Sequence, residues 1–192
     1  MKRRVHLLLA FAFAFTPVAA FAHPAAQAGG FLQGLAHPIG GLDHLLAMIA
    51  VGVVARSFDG MQRWLLPLTF LTSMTLGALL GAAHFDVPFV EVFIALSLVG
   101  FGIIVARAGQ SFGVAATLTA AFALFHGHAH GTEMIGASAS AYFVGFLIAT
   151  TSLHALGLYL AHRLPKQHRA LSLRIGGAGV AATGLVFLGA MI

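Results

Sequence analysis

The sequence predicts an all-α membrane protein: a cleavable signal peptide followed by a six-helix transmembrane bundle. Three observations predict it. Of 192 residues, 59% are hydrophobic and 8% charged, with a mean hydropathy of +0.96, whereas a soluble domain carries about 25% charged residues. Apolar segments recur at about the 20-residue length that crosses a bilayer. Basic residues collect in alternate short loops, as the positive-inside rule requires.

The elements follow in order. Residues 1–22 read as a secretory signal, with Lys2-Arg3-Arg4 as the charged start and a short apolar run from Leu7 to Phe15. Ala20-Phe21-Ala22 supplies small residues at the cleavage position. Residues 23–192 then form one transmembrane domain beginning His23-Pro24. Its six apolar segments run near 39–56, 64–83, 88–106, 112–130, 139–161 and 171–192. Small-residue pairs such as Gly77/Gly81 and Gly176/Gly177 suit close approach of membrane helices. Six segments are also compatible with two inverted halves of three, a common transporter plan.

Cleavage places the new amino terminus outside, so six crossings put both ends of the mature chain in the periplasm of a bacterial inner membrane. The loops near 57–63, 107–111 and 162–170, with their flanks, carry Arg56, Arg63, Arg107, Arg163, Lys166, Arg169 and Arg174. These are all the basic residues of the mature chain, which explains the formal charge of +5 as topology and excludes a nucleic-acid partner. Asp43, Asp86, Glu91 and Glu133 fall on the outer side, where an acidic mouth concentrates cations. Cysteine is absent, which removes disulfides, thiolate zinc sites and iron–sulfur clusters.

Chemistry concentrates in two stretches. The first is His37-Pro38-Ile39-Gly40-Gly41-Leu42-Asp43-His44, with Met48 one turn beyond. On a continuous helix, His37 and His44 share a face. Pro38 suits a helix start, and Asp43 a first turn. The second is Phe125-His126-Gly127-His128-Ala129-His130-Gly131-Thr132-Glu133. On a helix, His126, His130 and Glu133 share a face while His128 points elsewhere. Gly127 and Gly131 weaken that helix, so a break or re-entrant turn is the alternative. Imidazole with carboxylate is the donor set for zinc, nickel or cobalt, and ionisable groups within membrane segments mark functional sites. A helix cap for Asp43 and a carbonyl-bonded core histidine for His44 are the structural alternatives.

A second tier comprises His23, Met48, Glu91, His128 and His154. His154 lies deep in the fifth segment, four residues after Thr150, as an interhelical hydrogen bonder or an inner ion station. Glu91 is a helix-start acid or a support for a ligand. His84, His162 and His168 are interfacial.

The two motifs resemble those of the HupE/UreJ family. The resemblance rests on His37-Pro38-x-x-Gly41-x-Asp43-His44, followed by Met48 and Val51-Gly52. It rests equally on Phe125-His126-Gly127-x-Ala129-His130-Gly131-x-Glu133. It covers essentially the whole chain. It implies a permease for nickel, or alternatively cobalt, linked to hydrogenase or urease maturation proteins. It also implies metal handling by His37, Asp43, His44, His126, His130 and Glu133. The expected cargo is Ni2+ with no permanently bound cofactor, and the lipid bilayer is the other partner. No nucleotide-binding motif is present. An intramembrane zinc hydrolase, with Ser73, Ser97 or Ser152 as polar helpers, and a metal-binding accessory protein without flux are the rival classes.

Overall fold

The computed structural model describes residues 30–107, 109–133 and 138–191, with Glu133 described by its backbone. The proposed signal peptide and His23 lie outside the described residues. Among those residues there are seven helices and no strand: α1 Phe31–Gly40, α2 Leu42–Ala55, α3 Gln62–Ala82, α4 Val90–Arg107, α5 Phe112–Glu133, α6 Ala139–Arg163 and α7 Arg169–Gly189. The last five are long and apolar enough to cross a membrane. Helices α1 and α2 pass the same test together, although they meet at 85°. The chain is a multi-pass membrane protein.

The bend corrects the expectation for the first segment. A ten-residue helix precedes it, and Pro38 lies in the last turn of that helix instead of opening the next. Its missing N–H removes the helical bond to the Gly34 carbonyl, and α1 ends two residues later at Gly40. Gly41 is extended, at φ −104° and ψ 121°, and its carbonyl accepts the first bond of α2 from Leu45 N–H at 2.9 Å. His37 and His44 therefore lie on two helices, not on one continuous face.

Lipid tails are as apolar as leucine, so packing and not dehydration holds such helices together. Glycine provides it here. Gly77 and Gly81 of α3 interdigitate with Gly127 and Gly131 of α5. A β-carbon on Gly127 would overlap the Met74 carbonyl, and one on Gly77 the Leu124 carbonyl. The motif glycines are thus packing surfaces, and α5 runs unbroken through them. Gly34 of α1 meets Tyr142 and Phe146 of α6, and Gly145 returns the contact to Phe31 and Leu35. Gly52 of α2 and Gly157 of α6 do the same against His154 and Ile49. Gly102 of α4 meets Gly177 and Ala181 of α7.

Three packed units result: α1–α2 with α6, α3 with α5, and α4 with α7. Exchanging the first three spans for the last three maps the first two units onto each other and the third onto itself. That is the contact pattern of inverted halves. The core between the units holds Met48, Val51, Leu66, Phe70, Met74, Leu98, Phe101 and Phe146, all essentially inaccessible. Helix α7 fully buries only Gly177 and Gly184, with Leu173, Val180 and Phe187 packed in part against the core.

Candidate metal site

Four imidazoles converge where the first two units meet. His37 comes from α1, His44 from α2, and His126 and His130 from α5. The ring centroids of His37 and His130 are 4.7 Å apart, those of His44 and His130 4.5 Å, and those of His44 and His126 5.0 Å. His37 and His44 are 6.1 Å apart across the bend. The break at Gly41 makes this possible, because it turns α1 back over the start of α2. Accessibility falls along the cluster. His37 and His44 are half-buried, whereas His126 and His130 are inaccessible.

Hydrogen bonds select the tautomers of two rings. His44 Nδ1–H donates to Asp43 Oδ1 at 2.8 Å, and the His44 backbone N–H donates to the same oxygen at 2.8 Å. His126 Nδ1–H donates to the Phe122 carbonyl at 3.0 Å. A carbonyl and a carboxylate accept only, so each ring keeps its lone pair on Nε2. Both Nε2 atoms are buried without a hydrogen-bond partner. This is the state in which a ligating histidine is held by its second nitrogen. Gly41 contributes through its missing side chain, because a β-carbon there would sit 2.7 Å from Asp43 Oδ1 and 3.1 Å from His44 Nδ1.

Asp43 thus holds His44, the α2 first turn and the mouth of the cluster in one residue. Glu133 ends α5, two turns beyond His126, with its side chain outside the described residues. Among the described residues no three of these donors already form a closed metal chelate. The rings stand edge to face, so gripping one ion requires them to turn toward it.

The second-tier residues separate. His128 leaves the cluster and donates Nε2–H to the Phe85 carbonyl at 2.7 Å, tying the α3–α4 loop to α5. Glu91 is exposed in the first turn of α4. Met48 is wholly buried one turn inward of His44. His154 is buried on α6 with both ring nitrogens lacking a hydrogen-bond partner.

Three aromatic neighbours escaped the sequence reading. Tyr142 lies 5.8 Å from the His37 ring, and Phe146 lies 4.1 Å from the His130 ring. Phe70 of α3 lies 6.0 Å from His126 and 4.9 Å from His154. The available signal was the spacing Tyr142, Phe146, Thr150, His154, an i, i+4 row on α6 that the structure buries throughout.

Comparison with known proteins shows the family of the chain. The family model described as HupE / UreJ protein matches residues 10–187. "Protein HupE" of Rhizobium leguminosarum bv. viciae is 42% identical over 175 residues, covering 90% of this chain and 91% of the relative. No solved structure matches.

Proposed function

The chain belongs to the HupE/UreJ family, and from that premise we propose that it is an inner-membrane permease for a divalent transition-metal ion. Nickel is the first choice of cargo and cobalt the second, delivered toward hydrogenase or urease maturation. One observation carries the reading: imidazoles from two separately packed helix units meet, with the Nε2 atoms of His44 and His126 buried and uncommitted.

The mechanism is capture, partial dehydration and passage. The half-buried His37 and the Asp43–His44 pair meet the hydrated ion first. His126 and His130 then replace water deeper in the bundle. The carboxylate of Asp43 strengthens His44 as a donor and offsets part of the ion's charge. Glu133, at the same end of α5, supplies the second negative charge of this scheme, which matches a 2+ ion when the histidines are neutral. Donors that must turn to reach the ion suit a carrier, because a site that holds its cargo too well cannot release it. A catalytic zinc instead needs three fixed protein ligands and an open water position.

Uptake of radioactive nickel in cells with and without the protein tests the proposal. Expression should raise accumulation, and His126→Ala should abolish the increase at equal protein level. Equal accumulation with and without the protein would refute a permease. The orientation follows from charge, with both mature ends in the periplasm after signal cleavage.

A further inference from the structure

We propose that His154 and Thr150 form a second cation station, inward of the histidine cluster, and that the Phe70 ring is the gate between the two. The proposal rests on the permease reading, which names an entry site but no way through the bundle.

Depth places the three groups in file. At 1.5 Å per residue, His126 lies about 10 Å from the end of α5 and His154 about 22 Å from the start of α6. Those two ends belong to the same end of the bundle, since α5 leads into α6 there. Phe70 lies about 18 Å from the corresponding end of α3, between the other two. The ring contacts agree with this order, because Phe70 touches both His126 and His154. No atom of Phe70 is accessible.

Buried polar atoms mark the inner station. His154 is 3% exposed and Thr150 0% exposed. Both nitrogens of His154 and the Thr150 hydroxyl lack a hydrogen-bond partner. The two neighbouring hydroxyls behave differently: Thr151 donates to the Leu147 carbonyl at 2.7 Å and Ser152 to the Ile148 carbonyl at 2.8 Å. Leaving a buried polar atom unpaired costs about 1–3 kcal/mol, and here three such atoms stand on one helix row. Residues four apart on a helix place their β-carbons about 5–6 Å apart, close enough for one ion or its water to bridge them. An imidazole with a hydroxyl and water binds a 2+ ion more weakly than four imidazoles do, which suits release. An apolar ring across the route blocks hydrated ions by dewetting, as in channel constrictions. Phe70 belongs to the α3–α5 unit and His154 to the α1–α2–α6 unit, so separation of the units withdraws the ring from the station.

The full-length protein, purified and reconstituted in vesicles, tests this with nickel chloride as probe. Equilibrium binding should show two classes of site. His154→Gln should remove the weaker class, leave the tighter one intact and slow flux by about tenfold, the lower scale on which loss of a metal-site group acts. Thr150→Val keeps the shape and removes the hydroxyl, so it should weaken the same class. A merely structural hydroxyl without a partner would make that change neutral or stabilising. Phe70→Ala should keep both classes and speed flux, and Phe70→Tyr should keep wild-type flux. A single class in the wild type, or loss of both classes together in His154→Gln, would overturn the station. Unchanged or slower flux in folded Phe70→Ala would overturn the gate. Vesicles that take up no nickel would remove the permease and the gate together, while the two binding classes and their response to Thr150→Val would still decide the station.

Discussion

Asp43→Asn separates two roles that the sequence left merged, ligand and support. In the structure one oxygen of Asp43 accepts both the Nδ1–H and the backbone N–H of His44, each at 2.8 Å. Asparagine keeps an oxygen at that position but loses the charge. A hydrogen bond to an ionised acceptor is about twice as strong as a neutral one. Replacing such a support typically costs about 10–100-fold in metal affinity, or about 1.4–2.8 kcal/mol. Asp43→Ala goes further, because it also frees the His44 ring to rotate and to exchange tautomers. The expected order of nickel affinity is therefore wild type, then Asp43→Asn, then Asp43→Ala, with His44→Ala lowest. Equilibrium dialysis of purified protein against nickel gives that order directly. Wild-type affinity in both Asp43 variants would show that the carboxylate does nothing for the ring. Losses in both variants as deep as in His44→Ala would make Asp43 a ligand in its own right.

The remaining predictions are briefer. His128→Ala should keep nickel binding near wild type, because its ring is spent on the Phe85 carbonyl, and should cost about 0.5–1.5 kcal/mol of stability in a detergent melt; a loss of uptake equal to that of His126→Ala would count against the assignment. Gly127→Ala should destabilise the protein by about 1–3 kcal/mol through overpacking on the Met74 carbonyl. Gly179→Ala meets nothing within 4 Å and should be neutral or slightly stabilising, since alanine is the better helix former; equal melting temperatures for the two would deny the glycine seam. A reporter fused to the carboxyl terminus should be active only if it functions in the periplasm, and cytoplasmic activity would change the number of crossings.

Hydropathy made α3 to α7 legible to within a few residues, because a bilayer sets both length and composition of a span. Helix α1 was missed because Pro38, Gly40 and Gly41 all read as helix breakers, whereas only Gly41 interrupts the helix. Motif spacing paired His126 with His130 and set His128 aside, since helical geometry alone decides that. The meeting of the two motifs depends on an 85° bend that no periodicity encodes. Gly127 and Gly131 looked like weak points because their partners, Gly77 and Gly81, lie some fifty residues away in sequence (about 50, too far for any local helix rule). Phe70, Tyr142 and Phe146 are aromatic residues in apolar helices, where composition gives them no distinction from lipid-facing neighbours.

The division of the four histidines between two glycine-seamed units has a mechanical consequence. Each unit is closely packed along its own glycine seam, so the proposed transport cycle would move the joint between them. His37 and His44 stand on one side of that joint, and His126 and His130 on the other. In the proposed permease, a metal ion bound by both sides would be a latch as well as a passenger. It would draw the joint shut on arrival, and the joint would reopen only as quickly as metal–imidazole bonds break. The grip that captures scarce metal would by the same bonds set the pace of turnover.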